Sequence, residues 1–193
     1  LEETAPTLMA KMRSVYPHDE VFGRYCTVND YVDCPPDELF AYLADTRSLQ
    51  EWTYTLRDFT PTEEPGLWLA YDRLLPDTRI YTRTVASSEA RTVDYHCAWD
   101  QGAHLWMIYL MRVLDAQVVL GKPGSVVLWT NCRHRFYDHN PYPHTAPSER
   151  SGWVGDFWDL FGAGHALELN NLKTIAEYRH RQGLPVRPVW MRP

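Results

Sequence analysis

The stretch WVGDFWDLFGAGHALELNNLKTIAEYRHRQ, residues 153–182, decides how the fold of this chain is interpreted. At about 100° per residue, one face of the helix that it predicts collects the apolar side chains of Val154, Trp158, Phe161, Leu169, Leu172, Ile175 and Ala176. His165, Glu168 and Arg179 fall on that same face. Because burying a charge or an unpaired polar group costs several kcal/mol, the pattern indicates either a hydrogen-bonded core network or a partly wet cavity.

The composition predicts one globular domain that is rich in rings. The chain has 193 residues, of which 45% are apolar, and this length is enough to bury a substantial core. Aromatic residues make up 13%, including 8 Trp and 12 Tyr, so large rings are available to line a cavity.

Charge, hydropathy and cysteine usage argue against several function classes. The net charge of −6 gives no basic surface for nucleic acid, so we expect no nucleic-acid partner. The longest apolar run, residues 105–111, is far shorter than the roughly 20 residues that a membrane-spanning helix needs, so we expect no membrane insertion. The four cysteines form no Cys-x-x-Cys pair and no signal peptide is recognisable, which predicts reduced thiols and a cytoplasmic location.

The rest of the chain consists of strand-length and helix-length patterns. A β-rich segment at 21–32 precedes Pro36, the acidic Asp37 and Glu38 and an apolar face, which is the pattern of a helix start. A second short helix is predicted at 47–52, and a short N-terminal helix at 7–14. Six further β-rich runs are separated by turns short enough for hairpins, at 54–60, 66–74, 79–87, 92–99, 104–114 and 125–138.

This order, together with the segment VNDYVDCPPDELFAYLAD at 28–45 and Trp52 shortly after it, resembles the START-like, or SRPBCC, superfamily. That superfamily includes polyketide cyclases and aromatases, the birch-pollen allergen group and lipid-transfer domains. The resemblance covers residues 21–182 and implies an α+β helix-grip fold. In such a fold a seven-stranded curved antiparallel sheet wraps on a long C-terminal helix, with two short helices after the first strand and a deep ligand cavity in between.

The resemblance divides the chain into three parts. Residues 1–20 form an N-terminal arm, residues 21–182 the ligand-binding domain, and residues 183–193 a Pro-rich tail that we expect to pack loosely or to extend over the surface. The superfamily shares no catalytic motif, so function has to be argued from the cavity residues.

His165 and Glu168 are the first candidates for catalysis. They are three residues apart on the predicted helix, which is close enough for both side chains to act on one bound molecule. An imidazole and a desolvated carboxylic acid can both exchange protons near pH 7. The alternative is structural: Glu168 would pair with Arg179 or a strand arginine, while His165 would bond a backbone carbonyl.

The last strand supplies the third catalytic candidate. Residues 126, 128, 130, 132, 134 and 136 share one face, which we take as the inward one, so His134 would point from the sheet toward His165. Tyr109 and Arg112 are candidates for holding an enolate or carboxylate oxygen, although Arg112 could equally lie on the outer face of the sheet. The remaining expected substrate contacts are Trp52, Trp106, Trp129, Phe136, Trp158, Phe161 and Leu172.

We expect neither a metal nor another cofactor. His134, His165 and Glu168 have the composition of a two-histidine, one-carboxylate site, with Cys132 nearby, but no His-Glu-x-x-His or paired Cys-x-x-Cys spacing is present. No nucleophile elbow or Gly-rich phosphate loop occurs either. The long connection at 138–153 is a candidate lid or binding loop, in which His139, Tyr142 and His144 could gate the cavity mouth.

Two functions from different classes follow from this pattern. The first is a cofactor-independent cyclase, aromatase or dehydratase that orients a hydrophobic polyketide-like intermediate and moves protons on it. The second is a non-catalytic carrier or sensor of a lipid or aromatic small molecule. A third, binding of a protein partner through the outer sheet, needs an exposed apolar patch that the sequence does not single out. The oligomeric state stays open, with a homodimer compatible with the sequence.

Overall fold

The computed structural model describes residues 4–14, 24–75, 77–100, 102, 104–145 and 152–191. The α-helices are α1 (Ala5–Ser14), α2 (Pro36–Leu43), α3 (Leu49–Trp52), α4 (Ala116–Leu120) and α5 (Phe161–Arg181). The strands are β1 (Tyr25–Val32), β2 (Leu56–Pro61), β3 (Leu67–Asp72), β4 (Arg79–Ser87), β5 (Thr92–Trp99), β6 (Met107–Asp115) and β7 (Ser125–Cys132). Four 3-10 segments lie at Thr46–Ser48, Arg135–Tyr137, Val154–Leu160 and Val189–Met191. No helix among these residues is long and apolar enough to cross a membrane.

The strands form one curved sheet in the order β1-β7-β6-β5-β4-β3-β2, and every neighbouring pair is antiparallel. From β2 to β7, strands that are consecutive in the chain are also neighbours in the sheet. Strand β1 pairs with β7, which brings the start of the domain beside its last strand. The predicted α+β helix-grip architecture is confirmed. Residues 21–23 of the first predicted strand and 15–20 of the predicted arm lie outside the described residues.

Two features differ most from the sequence prediction, namely the end of the last strand and a helix between β6 and β7. The last strand ends at Cys132 rather than at 138, because the chain leaves the sheet and forms a 3-10 turn at Arg135–Tyr137. The helix α4, between β6 and β7, was not predicted. Asp115 caps it by accepting a hydrogen bond from the backbone N–H of Gln117, and Gly121 ends it in the left-handed conformation at φ 70°.

The helix pair after β1 forms as its sequence predicts. Pro36 occupies the first turn, Asp37 and Glu38 lie at the positive end of the helix dipole, and the apolar face of α2 is fully buried against the sheet. The hydroxyl of Tyr95 in β5 donates to the carbonyl of Leu43 at 2.6 Å. This bond fixes the end of α2 to the centre of the sheet.

The predicted long helix consists of a 3-10 segment, Val154–Leu160, followed by α5. Two glycines permit its close approach to neighbouring residues. A side-chain carbon at Gly155 would lie 1.6 Å from the carbonyl oxygen of Tyr137, and one at Gly164 would lie 2.5 Å from the hydroxyl of Tyr54. A larger residue at Gly155 would displace the helix start from the backbone of the Arg135–Tyr137 turn, whereas one at Gly164 would require the Tyr54 side chain to move.

The C-terminal half of α5 is tied to the domain by ion pairs. Arg179 bonds both carboxylate oxygens of Glu51, at 2.8 and 2.9 Å, in a bidentate pair that is largely screened from solvent. Lys173 pairs with Asp30 of β1 at 3.0 Å. Helix α5 is thereby held both to the short helix α3 and to the edge strand of the sheet.

The C-terminal tail is part of the core, so the expectation of loose packing is wrong. Val186 and Met191 are 1% and 0% exposed and belong to the main apolar cluster. Asp45 accepts hydrogen bonds from both Arg47 and Arg187, and both arginines also donate to the carbonyl of Met191. Apolar burial together with this charged network holds the tail in place.

Shortening the buried side chain of the tail should therefore destabilise the whole domain. We expect Met191→Ala to lower the free energy of unfolding by about 2 to 4 kcal/mol, as truncations of buried Met and Leu side chains do. Val189→Ala is the matched control, because Val189 belongs to the same turn but is 67% exposed. Urea titration followed by circular dichroism measures both, and an equal small effect of the two substitutions would contradict the packing described.

Candidate functional site

A cavity of about 450 Å³ lies between the sheet and the N-terminal half of α5. Its wall combines side chains from the α3 region, the strands β2 to β7, the 3-10 segment Val154–Leu160 and α5, and apolar groups predominate. The lining residues are Leu49, Trp52, Thr53, Tyr54, Thr55, Leu56, Asp72, Leu74, Leu75, Ile80, Tyr95, Cys97, Trp99, Met107, Tyr109, Trp129, Val154, Phe157, Leu160, Phe161, His165 and Glu168. The most exposed of these are Leu74 and Leu160, at 65% and 62%, so the cavity opens between the turn after β3 and the start of the helix.

His165 lies against the cavity within a group of aromatic rings. Its ring centroid is 4.2 Å from that of Trp129, 5.3 Å from Phe161 and 5.6 Å from Tyr109. The Nδ1 atom is 2.7 Å from the carbonyl oxygen of Phe161, and because a carbonyl only accepts, Nδ1 carries the proton of the neutral ring. Burial lowers the pKa of His165 to about 4. At neutral pH the buried Nε2, which has no protein partner among the described residues, is therefore a hydrogen-bond acceptor.

Glu168 lies one turn further along α5 and is 6% exposed. One of its oxygens accepts a hydrogen bond from the backbone N–H of Tyr54 at 3.2 Å. Burial raises the pKa of Glu168 to about 8, a shift that the Tyr54 bond opposes and the nearby Asp72 carboxylate reinforces. The carboxyl group is therefore mostly protonated at neutral pH and can donate a hydrogen bond or a proton.

The alternative of purely structural roles is correct for the bonding of His165 but wrong for Glu168. His165 does bond a backbone carbonyl, as that alternative expected. Arg179, however, pairs with Glu51 and not with Glu168, and no arginine or lysine forms an ion pair with Glu168 within the described part of the chain. The Glu168 carboxyl is left to face the cavity without a compensating cation.

Half of the predicted site residues meet at this cavity. They are His165, Glu168, Tyr109, Trp129, Phe161 and Trp52. The other half, namely His134, Arg112, Trp106, Phe136, Trp158 and Leu172, are placed elsewhere by the structure.

The predicted inward face of the last strand is wrong. The buried side chains of β7 are Ser125, Val127, Trp129 and Asn131, whereas Leu128 is 39% exposed. The alternation assumed for residues 126–136 does not continue past Cys132, where the strand ends. His134 is exposed and its Nδ1 accepts a hydrogen bond from the N–H of Phe136, so it does not reach His165.

The face of β6 that carries Tyr109 is the one that points inward. Met107, Tyr109 and Met111 point inward, while Arg112 is exposed on the outer face, so the alternative stated for that arginine is correct. The oxygen-binding role predicted for Arg112 is therefore wrong, because its guanidinium group lies on the opposite side of the sheet from the cavity.

Trp106, Phe136 and Trp158 form an aromatic cluster with Tyr137 beside the cavity rather than in its wall. The ring of Trp106 lies 5.7 Å from that of Phe136 and 4.8 Å from that of Tyr137, which in turn is 5.0 Å from Trp158. Leu172 is completely buried in the core below the cavity. The predicted contact residues Trp106, Phe136, Trp158 and Leu172 therefore lie behind the wall and do not line the cavity.

The connection before the long helix has its own packing. Tyr142 stacks on His104 with ring centroids 5.0 Å apart, and His139 lies 6.3 Å from Phe136. Tyr142, His139 and His144 do not line the cavity. Residues 146–151 of the predicted lid lie outside the described residues.

Among the lining residues that were not predicted, Asp72 and Tyr54 bear most directly on Glu168. Asp72, at the end of β3, is 4% exposed and accepts hydrogen bonds from the backbone N–H groups of Leu74 and Leu75. Tyr54 presents its backbone to Glu168 and its ring to Gly164. Asp72 precedes a turn, where aspartate is common for local reasons, so its sequence position did not mark it as a cavity residue.

The metal alternative needed His134 to stand beside His165 and Glu168. In the described part of the chain no three His, Cys, Asp or Glu side chains are grouped closely enough to hold a metal ion. The four cysteines are free thiols, and Cys132 is exposed on the outer side of β7.

Comparison with solved structures decides the fold family, since no protein-family model and no curated protein matches the sequence. The chain is similar to the Zhui aromatase/cyclase from Streptomyces sp. R1128, with a TM-score of 0.55 and 15% identity over 83% of this chain and 97% of that one. It therefore has the same helix-grip fold. The di-domain ARO/CYC BexL from the BE-7585A biosynthetic pathway matches with a TM-score of 0.56 and 14% identity, over 78% of this chain and 45% of that one.

The same helix-grip fold also occurs in proteins of other kinds. The Aha1 dimer from Colwellia psychrerythraea matches with a TM-score of 0.52 and 12% identity, over 79% of this chain and 96% of that one. Identities this low establish a shared fold only, and the activity has to be argued from the residues of the cavity.

The buried carboxyl in this helix-grip cavity should make stability depend on pH. The pKa of Glu168 is about 8 in the folded protein and about 4.5 in the unfolded chain. Between these two pH values the folded protein holds a proton on Glu168 that the unfolded chain has lost. This contribution is fully present below the lower value and is lost as pH rises toward 8. We expect the stability of Glu168→Gln relative to wild type to increase by up to about 1.4 kcal/mol per pH unit across that interval.

Urea titrations at pH 5, 6, 7 and 8 measure this difference. Glu89→Gln, at an exposed position in the β4–β5 turn, is the matched control and should follow the wild type throughout. A Glu168→Gln curve that runs parallel to the wild-type curve would show that the carboxyl is ionised in the folded protein.

Proposed function

We propose that the protein is an enzyme of the cyclase, aromatase or dehydratase type, acting on a hydrophobic natural-product intermediate without a cofactor. The observation that carries the proposal is the presence, one helical turn apart in one apolar cavity, of a neutral histidine and a protonated carboxylic acid. Two titratable groups whose environments push their pKa values in opposite directions are characteristic of acid and base assignments in active sites.

Glu168 serves as the acid. With a pKa of about 8, its carboxyl holds a proton at pH 7 and can donate it to a carbonyl or hydroxyl oxygen of the substrate. The Tyr54 N–H bonds one carboxyl oxygen, which orients the group and leaves the other oxygen available to the cavity. Glu168 thereby stabilises the developing enol, or assists loss of a hydroxyl group as water.

His165 serves as the base. Its Nδ1 proton is held by the carbonyl of Phe161, so the lone pair of Nε2 is available to take a proton from a carbon next to the polarised carbonyl. The proton that Glu168 gives to oxygen and the proton that His165 removes from carbon balance in an enolisation. Return of each proton completes the cycle.

The cavity wall supplies orientation. The rings of Trp52, Trp99 and Trp129 line the space, and 5.6 Å separates the centroids of Trp52 and Trp129 in an edge-to-face contact. Rigid aromatic walls restrict the conformations of a flexible apolar substrate, and holding reacting atoms in place lowers a barrier by several kcal/mol. The aromatase/cyclase identity of two proteins that share this fold supports the same reaction class.

A carrier or sensor of an aromatic or lipid molecule is the second candidate. The Tyr54 bond to Glu168 and the Phe161 bond to His165 favour it, because each gives its side chain a structural partner without any chemistry. In a carrier the two groups would contribute only to ligand affinity.

We also propose that the protein is cytoplasmic, and a homodimer is compatible with the proposed function.

Exchange of enolisable protons distinguishes the two candidates. We expect wild type to accelerate hydrogen–deuterium exchange at the carbon next to the carbonyl of 2-tetralone, followed by proton NMR. Glu168→Gln and His165→Phe should each reduce this acceleration by about 10²- to 10⁴-fold, since each removes one proton-transfer partner. The exchange rate should fall below pH about 4, where His165 is protonated, and above pH about 8, where Glu168 has lost its proton.

Two surface substitutions serve as controls for this experiment. His180→Phe, at an exposed position on the same helix, and Glu89→Gln should both retain the wild-type rate. Binding of 2-tetralone, measured by calorimetry, should survive in Glu168→Gln and His165→Phe. Tight binding by wild type without any accelerated exchange would reject the enzyme and favour the carrier.

A further inference from the structure

Three buried side chains beside the cavity have polar groups that the proposed proton transfer does not use. We call Tyr109, Asn131 and Tyr137 the inner polar cluster. Asn131 is 1% exposed and Tyr137 is 2% exposed. The amide oxygen and nitrogen of Asn131 and the hydroxyl of Tyr137 have no hydrogen-bond partner within the described part of the chain.

The cluster lies next to His165. Asn131 of β7 is paired directly with Tyr109 of β6 and is two residues from Trp129 on the same face of its strand. The hydroxyl of Tyr137 also interacts with the side chains of Tyr109 and Asn131, in contacts that fall short of ordinary hydrogen-bond geometry. Tyr109 and Trp129 are also part of the cavity wall and flank His165, so the cluster adjoins the His165 end of the cavity.

A buried amide and hydroxyl without partners are costly for the folded protein. Leaving a buried donor or acceptor unsatisfied costs about 1 to 3 kcal/mol, so native proteins provide partners for most such groups. An amide offers both a donor and an acceptor, and a tyrosine hydroxyl offers both as well. A ligand hydroxyl can donate to the amide oxygen and accept from the amide nitrogen or the tyrosine hydroxyl, whereas a ligand carbonyl can only accept from the two donors.

We propose that the inner polar cluster is a subsite for one uncharged oxygen, a hydroxyl or a carbonyl, on an aromatic ligand whose rings fill the cavity. This inference rests on the proposed function, since it assumes that the cavity binds an aromatic molecule. It adds the chemical class of the ligand, which is a neutral oxygenated ring system.

The charges around the subsite exclude an ionised ligand. No arginine or lysine lines the cavity among the described residues, and His165 is neutral at pH 7. Burial raises the pKa of both Tyr109 and Tyr137, so their hydroxyls stay protonated. A carboxylate placed here would lose its hydration without gaining a cation among the described lining residues.

Calorimetric titration with three matched probes tests the subsite. Naphthalene, 2-naphthol and 2-naphthoate share one ring system and differ in carrying no oxygen, a neutral oxygen or a charge. At pH 7 we expect wild type to bind 2-naphthol about three- to tenfold more tightly than naphthalene, the effect of one or two net hydrogen bonds. We expect 2-naphthoate to bind at least tenfold more weakly than 2-naphthol.

Two substitutions locate the oxygen. Asn131→Leu has a similar volume and removes two unpartnered polar atoms, so it should fold at least as stably as wild type. It should abolish the preference for 2-naphthol while leaving naphthalene affinity within twofold of wild type. Tyr137→Phe should reduce the preference in the same way, and Asn170→Leu, at an exposed position on α5, should leave it unchanged.

The outcomes separate this inference from the proposed function. Binding of naphthalene with no preference for 2-naphthol would overturn the subsite and keep the aromatic cavity. A preference that survives in both Asn131→Leu and Tyr137→Phe would place the ligand oxygen elsewhere and would also overturn the subsite. Failure of wild type to bind either naphthalene or 2-naphthol would overturn the aromatic cavity and the subsite together.

Discussion

The structure depends on how the long helix α5 is held at unequal depth against the sheet. In its C-terminal half, Leu172 and Ala176 are fully buried, and the Arg179–Glu51 pair fixes the helix to α3. In its N-terminal half the same face carries His165 and Glu168, and a cavity separates them from much of the sheet. Tight packing of the C-terminal half of α5 permits a cavity beside the N-terminal half. The apolar surface buried in the core compensates for the packing contacts that are missing around the cavity.

The gap determines the protonation of the groups that face it. Both His165 and Glu168 are shifted mainly by burial, which disfavours the charged form of each. The same low-polarity environment therefore produces a neutral base and a neutral acid side by side. A cation close to Glu168 would have left it ionised, and no arginine or lysine lines the cavity among the described residues. Arg179 lies eleven residues further along α5, where it pairs with Glu51.

The architecture was predicted from the order of the elements and from the family resemblance that this order carries. The helix side of the site was predicted because a polar group on an apolar helical stripe is visible at a fixed period of 3.6 residues. The prediction failed on the sheet side. The two faces of β7 are both apolar in composition, so the inward face depends on where the strand ends, and the turn at Arg135–Tyr137 is not marked by glycine or proline. Asp72 and Asn131 were missed for a related reason, since a single polar residue in a strand or turn reveals its burial only when the partner strands are known.

The chemistry of position 168 favours catalysis over simple binding. If the helix needed only an acceptor for the Tyr54 N–H, a glutamine amide would provide one without titrating and without a stability cost near neutral pH. What the carboxyl adds is a proton that it can release and recover close to pH 7, in a place where no cation neutralises it. That property has no use in a wall that merely encloses a ligand, but it is what an acid needs in order to protonate a substrate oxygen in one step and be reprotonated in the next.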